Sequence, residues 1–263
     1  DKMNNMVPLN EINQQNIQKL DKPNILIAGC GTGQQSIETA SRFKDSKVLA
    51  VDLSISSLAY AKRKTDELGI KNIEYMLADI LDLENLGRQF DIIECGGVLH
   101  HMDNPKVGWQ ILTKCLKSRG LMKIGLYSEL ARRHIVEIRK EIKGSNIGSN
   151  EVAMRVFRTS MIESEKDHHK WERTSSDFYS MSAFRDLLFH VQEHCFTIPQ
   201  IKDCLNTLGL VFCGFEQKTI KQKFKESHPH EKEIYNLNTW SLYENSNPRI
   251  FEGMYQFWCQ KIL

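Results

Sequence analysis

Between Asn24 and Tyr127 two hydrophobic periods alternate along the chain. Short, nearly continuous apolar runs at 24–30 (NILIAGC), 47–53 (KVLAVDL), 73–79 (IEYMLAD), 90–96 (FDIIECG) and 120–128 (GLMKIGLYS) read as strands buried on both faces. The stretches between them place apolar residues every three to four positions, as in 34–43, 54–69 and 105–117, and read as helices. Gly69 stands where a helix C-cap is expected, and Pro105 sits in a first helical turn. Strict β–α alternation predicts a parallel sheet covered by helices on both sides.

After Ser128 the rhythm changes. Residues 129–144 predict a long charged helix, followed by a polar stretch to about Ser182 with no strand signal. Helices are predicted over 182–194 and 197–209, the second capped by Thr197 and closed by Gly209. Strands six and seven fall at 210–216 and 254–262, with a second insertion over 218–250 before the last strand. The resulting division is an N-terminal helical extension (1–23), a nucleotide-binding half (24–129), a helical lid bearing the substrate pocket (130–196) and a segment completing the sheet (197–263).

Composition narrows the function class. The 263 residues carry 35 basic and 33 acidic side chains, too balanced to imply nucleic acid as a partner. No apolar run approaches the roughly 20 residues needed to cross a bilayer, so no membrane partner is expected. Seven scattered cysteines without a C-x-x-C pair fit reduced thiols and a cytoplasmic protein.

The chemistry concentrates after the first strand. Gly29, Gly31 and Gly33 lie between a strand and a helix, where glycine lets a ligand approach the backbone. A dinucleotide fingerprint would put its third glycine at position 34, which is Gln34. Asp52 ends strand two, where a carboxylate can accept from two ribose hydroxyls. Asp79 ends strand three and either accepts from an adenine amine or caps a helix.

Taken in order, ILIAGCGTGQ, AVDLS, LADIL and FDIIECGGVLHHMDNP resemble the nucleotide-site motifs of class I S-adenosylmethionine-dependent methyltransferases. The remainder, with LYSELAR and DLLFHVQEHCFT, is similar to the methyltransferase module found beside tetratricopeptide repeats in some bacterial proteins, although the chain shows no such repeats. The resemblance implies an α/β fold, a doubly wound, mostly parallel Rossmann-like sheet of seven strands with the last antiparallel, bearing a helical lid insertion. It implies S-adenosyl-L-methionine as cofactor. Gly29, Gly31 and Gly33 would lie at the methionine part, Asp52 at the ribose and Asp79 with Ile80 at the adenine, with Ala28, Cys30, Gln34 and Leu53 also binding the cofactor. Cys95 and Gly96 would underlie the methionine and sulfonium.

Candidates for handling the methyl acceptor fall in two places. His100 and His101 follow strand four and read either as base or hydrogen-bond donor, or as packing residues at a helix start. Tyr127 and Glu129 end strand five, with Arg132 and Arg133 one turn on; a guanidinium there could clamp an acceptor carboxylate, or either arginine reads as a solvated helix charge. Farther on, His190-x-x-Glu193-His194 has the order of an inverted zinc-peptidase motif. A third ligand would have to come from DHHK (167–170) or HPH (228–230), and nothing fixes that geometry, so no metal is expected. As a helix, Asp186, His190 and His194 would share one face, either lining an acceptor pocket with Tyr179 or packing.

The expected activity is methyl transfer by in-line displacement to a small polar or thiol-bearing acceptor. The alternatives are a protein side chain as acceptor or a module that binds the cofactor without turnover. A homodimer is compatible with the sequence but not fixed by it.

Overall fold

The computed structural model describes residues 22–189 and 193–262. The N-terminal extension to residue 21 and His190 lie outside the described residues. The strands are β1 (Asn24–Ala28), β2 (Lys47–Asp52), β3 (Ile73–Leu77), β4 (Phe90–Gly96), β5 (Leu116–Ser128), β6 (Cys195–Phe196), β7 (Leu210–Phe215) and β8 (Tyr255–Lys261). Helices α1 (Gln34–Arg42), α2 (Ile55–Glu67) and α3 (Pro105–Cys115) cross between the first five strands. Between β5 and β6 come α4 (Arg133–Gly144), α5 (Glu151–Glu163), α6 (Asp167–Glu172) and α7 (Met181–Phe189). Helix α8 (Ile198–Leu208) precedes β7, while α9 (Lys218–Ser227) and α10 (Leu237–Ser246) precede β8.

Strand order is β3-β2-β1-β4-β5-β8-β7, with β6 paired to β5 off that path. Among the described residues the sheet therefore has eight strands where the sequence pattern predicts seven. The extra strand is two residues long, too short to carry a periodic signal. β1 to β5 run parallel, and β8 lies antiparallel to both β5 and β7. Strand order reverses between β1 and β4, which opens a crevice at their carboxyl ends.

Alternation along β1 supplies both faces of the sheet. Leu26 and Ala28 point into the larger core with Trp109, Phe215 and Trp240, while Ile25 and Ile27 join Leu58 and Trp258 on the other side. Local chemistry sets the helix ends. The Asn104 side chain accepts from Lys106 N–H ahead of Pro105, and Thr197 and Gln200 cap one another at the start of α8.

Helices α4 to α7 form their own apolar layer. Ile135, Ile138 and Ile142 of α4 meet Met154, Phe157 and Met161 of α5, with Phe178, Phe184 and Leu188 alongside. The polar stretch predicted to lack strands is largely helical, because three apolar residues at helical spacing and the Asn150 cap suffice once α4 supplies a surface. This layer starts and ends at one point, since Tyr127 pairs with Cys195 and Ser128 with Phe196. The second insertion is anchored at the same strand: buried Glu244 accepts from Ser128 Oγ at 2.6 Å and from Tyr255 Oη at 2.6 and 2.8 Å.

No described helix is long and apolar enough to cross a membrane. The seven cysteines are all free, six buried and Cys195 half-buried.

Trp240 is fully buried, stacks on Phe224 at 3.8 Å between ring centroids and donates its indole N–H to Ile234 O. Trp240→Ala should cost about 3–5 kcal/mol of unfolding free energy. Urea denaturation with an unshifted midpoint would show that the second insertion is not part of the cooperative core.

Candidate functional site

The turn from β1 into α1 is held by the end of β2. Gly29 N–H and Cys30 N–H both donate to Val51 O at 2.9 Å, and Gly31 N–H donates to Asp52 Oδ2 at 2.7 Å. Ser54 N–H donates to the other Asp52 oxygen at 2.9 Å. The three glycines serve different needs. A Cβ on Gly29 would stand 2.2 Å from Val98 Cγ2, and one on Gly33 would stand 2.6 Å from Ala61 Cβ. At Gly31 a Cβ would meet nothing, but φ is +50°, so the backbone there faces open space in a left-handed conformation. Two glycines therefore permit close packing and the third leaves a turn open to a ligand.

Beside this turn lies a cavity of about 200 Å³ lined by Gly29, Asp52, Leu53, Ala78, Asp79, Ile80, Gly97, Val98, His101 and Met102. Of the residues expected at the cofactor, five line it: Gly29, Asp52, Leu53, Asp79 and Ile80. Asp79 also caps the 3-10 turn Ile80–Leu86, with Oδ1 accepting from Leu81 N–H at 2.9 Å. The two readings of Asp79 are compatible, because a carboxylate has acceptor sites beyond that one bond. Carboxylates at the ends of β2 and β3 with apolar Leu53, Ile80, Val98 and Met102 between them suit a flat, hydroxyl-bearing adenosine.

Other expected cofactor residues sit elsewhere around the turn. Ala28, Cys30 and Cys95 are buried in the cores, and burial pushes the Cys30 and Cys95 thiols up to about 12. Gly33 is the N-cap of α1, Gly96 ends β4 against Gly125, and Gln34 is exposed. Its neighbour Gln35 turns inward and donates to buried Glu94 at 2.6 Å, with Thr39 on the second carboxylate oxygen at 3.1 Å. Burial raises the Glu94 pKa against the opposing pull of Lys123. Gln35, Glu94, Val98 and Met102 escaped the sequence reading; their only signal was proximity to the glycine turn and to the strand-four motif.

His101 borders a second cavity, of about 480 Å³, shared with Tyr127, Arg132, Asp177, Ala183, Asp186, Leu187 and Glu193. Tyr127, Arg132, Asp177 and Leu187 also line a third, of about 350 Å³, that reaches His134, Trp171 and Glu172. The helices between β5 and β6 thus wall the space beyond the cavity at the glycine turn. His100 is fully buried, its ring 3.9 Å from that of Tyr127.

Several sequence expectations fail here. Helix α7 is described only to Phe189, and His194 follows in irregular backbone, its N–H bonded to His100 O at 2.8 Å. A single helical face through Asp186 and His194 does not form. Tyr179 is 68% exposed and donates its hydroxyl to Arg173 O, so it does not line these cavities. Arg132 is no clamp for a substrate carboxylate. Its Nε and Nη2 are taken by Glu193 at 2.7 and 2.9 Å, and its guanidinium lies 3.7 Å over the Tyr127 ring. Arg139 also binds Glu193 at 2.9 Å, so the glutamate of the H-x-x-E-H stretch is consumed in a buried ion pair rather than poised as a base.

Residues 25–120 match the family described as methyltransferase domain. An uncharacterized protein of Synechococcus sp. is 26% identical over 236 residues, covering 86% of this chain and 57% of that protein. The (S)-coclaurine N-methyltransferase of Papaver somniferum is 30% identical over 102 residues, 39% of this chain and 29% of that protein. PKMT2 from Rickettsia typhi, solved in complex with AdoHcy, superposes with a TM-score of 0.71 at 18% identity, over 92% of this chain and 49% of that one. The chain thus spans about half the length of the Synechococcus and Rickettsia proteins. Residues 25–120 are thus similar to a methyltransferase domain, and the long superposition shows that the described chain shares the fold of the Rickettsia typhi structure.

Glu193→Ala leaves the Arg132 guanidinium buried without its bidentate partner and should destabilise the chain by about 3–5 kcal/mol. Urea titration checks this, and an unshifted midpoint would show that the pair contributes nothing to folding.

Proposed function

We propose that the chain transfers the methyl group of S-adenosylmethionine to a small polar acceptor held beyond His101. The observation that carries this reading is the shared wall: His101 borders both the 200 Å³ cavity beside the glycine turn and the 480 Å³ cavity under α7. A donor in the first and an acceptor in the second would meet beside His101, where an in-line displacement needs the acceptor atom directly opposite the leaving sulfur. When bound, the cofactor supplies an electrophilic methyl on a sulfonium.

The chain's own residues do the rest. Asp52 accepts from ribose hydroxyls on the lone pairs left by Gly31 and Ser54, and Asp79 does the same for the adenine amine. The open backbone at Gly31 and the turn around Gly29 and Gly33 seat the methionine part. Cys95, Gly96 and the Gln35–Glu94 pair support this floor from beneath rather than touching the ligand. His101 takes or holds the acceptor proton. His100, packed against the Tyr127 ring and accepting at its carbonyl from the His194 amide, fixes where His101 stands.

Chamber charge points to the kind of acceptor. Arg132 is neutralised by Glu193, which leaves Asp177 and Asp186 as the carboxylates facing the space. They favour a group that donates hydrogen bonds or carries positive charge over an anion. The chamber volumes of about 480 and 350 Å³ fit the range of small-molecule sites, about 300–1,000 Å³. The helices from α4 to α7 act as its cover, which excludes water from the transfer. The similarity to the module found beside tetratricopeptide repeats adds nothing about the acceptor.

Asp52→Ala should weaken S-adenosylhomocysteine binding by about 1–3 kcal/mol, roughly 5- to 150-fold. Calorimetry with unchanged affinity would contradict the ribose assignment. His101→Gln should lower turnover by roughly 10²–10⁴ with cofactor affinity retained. For the acceptor, labelled cofactor is incubated with a metabolite extract and with lysate protein. Label in small molecules supports the reading, label in protein side chains replaces it, and cofactor binding without label in either identifies a binding module.

A further inference from the structure

Away from the cavities, α6 carries the adjacent pair His168–His169, and both imidazoles reach one carboxylate. His168 Nε2 lies 2.6 Å from Glu141 Oε1 and His169 Nε2 lies 3.1 Å from Glu141 Oε2. Neighbouring residues on a helix ordinarily diverge. Here the two rings stand 4.6 Å apart, at 75° to one another. One ligand atom each from Glu141, His168 and His169 falls within 4.8 Å of the others.

Two further observations separate this cluster from an ordinary ion-pair network. His169 is 3% exposed, and neither of its ring nitrogens makes a hydrogen bond. Its Nε2 lies 3.1 Å from Glu141 Oε2 outside hydrogen-bond geometry, and its Nδ1 has no partner among the described residues. A buried polar group left unpaired costs about 1–3 kcal/mol, so its persistence calls for a partner. The second observation is the far side of His168, where Nδ1 lies 3.2 Å from Glu137 Oε2. A metal-bound histidine characteristically gives its other N–H to a carboxylate, which fixes the tautomer and presents the remaining nitrogen's lone pair.

We propose that Glu141, His168 and His169 bind a divalent transition ion, with zinc as the best match. Two imidazoles and a carboxylate form a borderline-soft set at home on zinc, with water completing four-coordination. Glu137 orients His168 from outside the coordination sphere. One charge must move: Lys166 Nζ sits 2.9 Å from Glu141 Oε1, and its half-exposed side chain swings into solvent when the ion arrives. The ion would clamp α6 onto α4. That clamp bears on the third cavity, because α6 also carries Trp171 and Glu172, and Trp171 stacks on His134 of α4 at 4.3 Å. The site is distinct from the H-x-x-E-H stretch and departs from the absence of metal expected from the sequence.

The test is calorimetric titration of zinc chloride into the chelator-stripped chain, with thermal melting in parallel. One equivalent should bind and raise Tm. His168→Ala and Glu141→Gln, checked for native circular dichroism, should each weaken binding at least tenfold. His194→Ala should leave binding unchanged. Absence of saturable binding, retention of binding in either of the first two variants, or its loss in His194→Ala overturns the assignment. These readouts need no methyl transfer and stand apart from the proposed activity.

Discussion

The amides that end β1 have to find acceptors at the end of β2, and this constraint organises the glycine-turn side of the molecule. Val51 O receives two of them and the Asp52 carboxylate a third, so the chain turns sharply and enters α1 with its backbone bare. Asp52 occupies each oxygen once in this task. A carboxylate has room for more, so one side chain can build the turn and still recognise a ligand. The packing of Val98 onto Gly29 then brings the strand-four loop, with His101 and Met102, against the same cavity.

A second buried charge cluster governs the other half. Arg132 begins α4, Arg139 lies two turns along it, and Glu193 comes from the segment that returns to β6. Their union closes the helical insertion on itself beside the β5–β6 pairing, where the chamber beyond His101 begins. Buried ion pairs of this kind define geometry more than they add stability. The result is a cavity whose arginine is paired and which Asp177 and Asp186 border.

What could be read in advance followed physical signal strength. Most of the seven predicted strands announced themselves because both their faces are buried, which makes near-continuous apolar runs; β3, at the sheet edge, is only partly covered. Asp52 and Asp79 were identifiable as strand-end carboxylates flanking a glycine turn. The division of labour among the glycines was hidden, since whether a Cβ meets Val98, Ala61 or nothing is a tertiary fact. Helix α5 was hidden for a related reason: Met154, Phe157 and Met161 gain meaning only against the isoleucines of α4. Glu193 looked chemical because of its histidine neighbours, yet Arg132 and Arg139, distant in sequence, decide its state. Tyr179 shows the converse, a residue of suitable chemistry that the fold leaves at the surface.

The central claim is that adenosine occupies the crevice between the ends of β2 and β3, with the sulfur end directed at His101. A crystal structure of the chain with S-adenosylhomocysteine tests it most directly. Ribose hydroxyls are expected on Asp52, the purine between Leu53 and Ile80 near Asp79, and the sulfur facing the chamber of Asp177 and Asp186. Nucleotide density elsewhere, or sulfur turned away from His101, would contradict it.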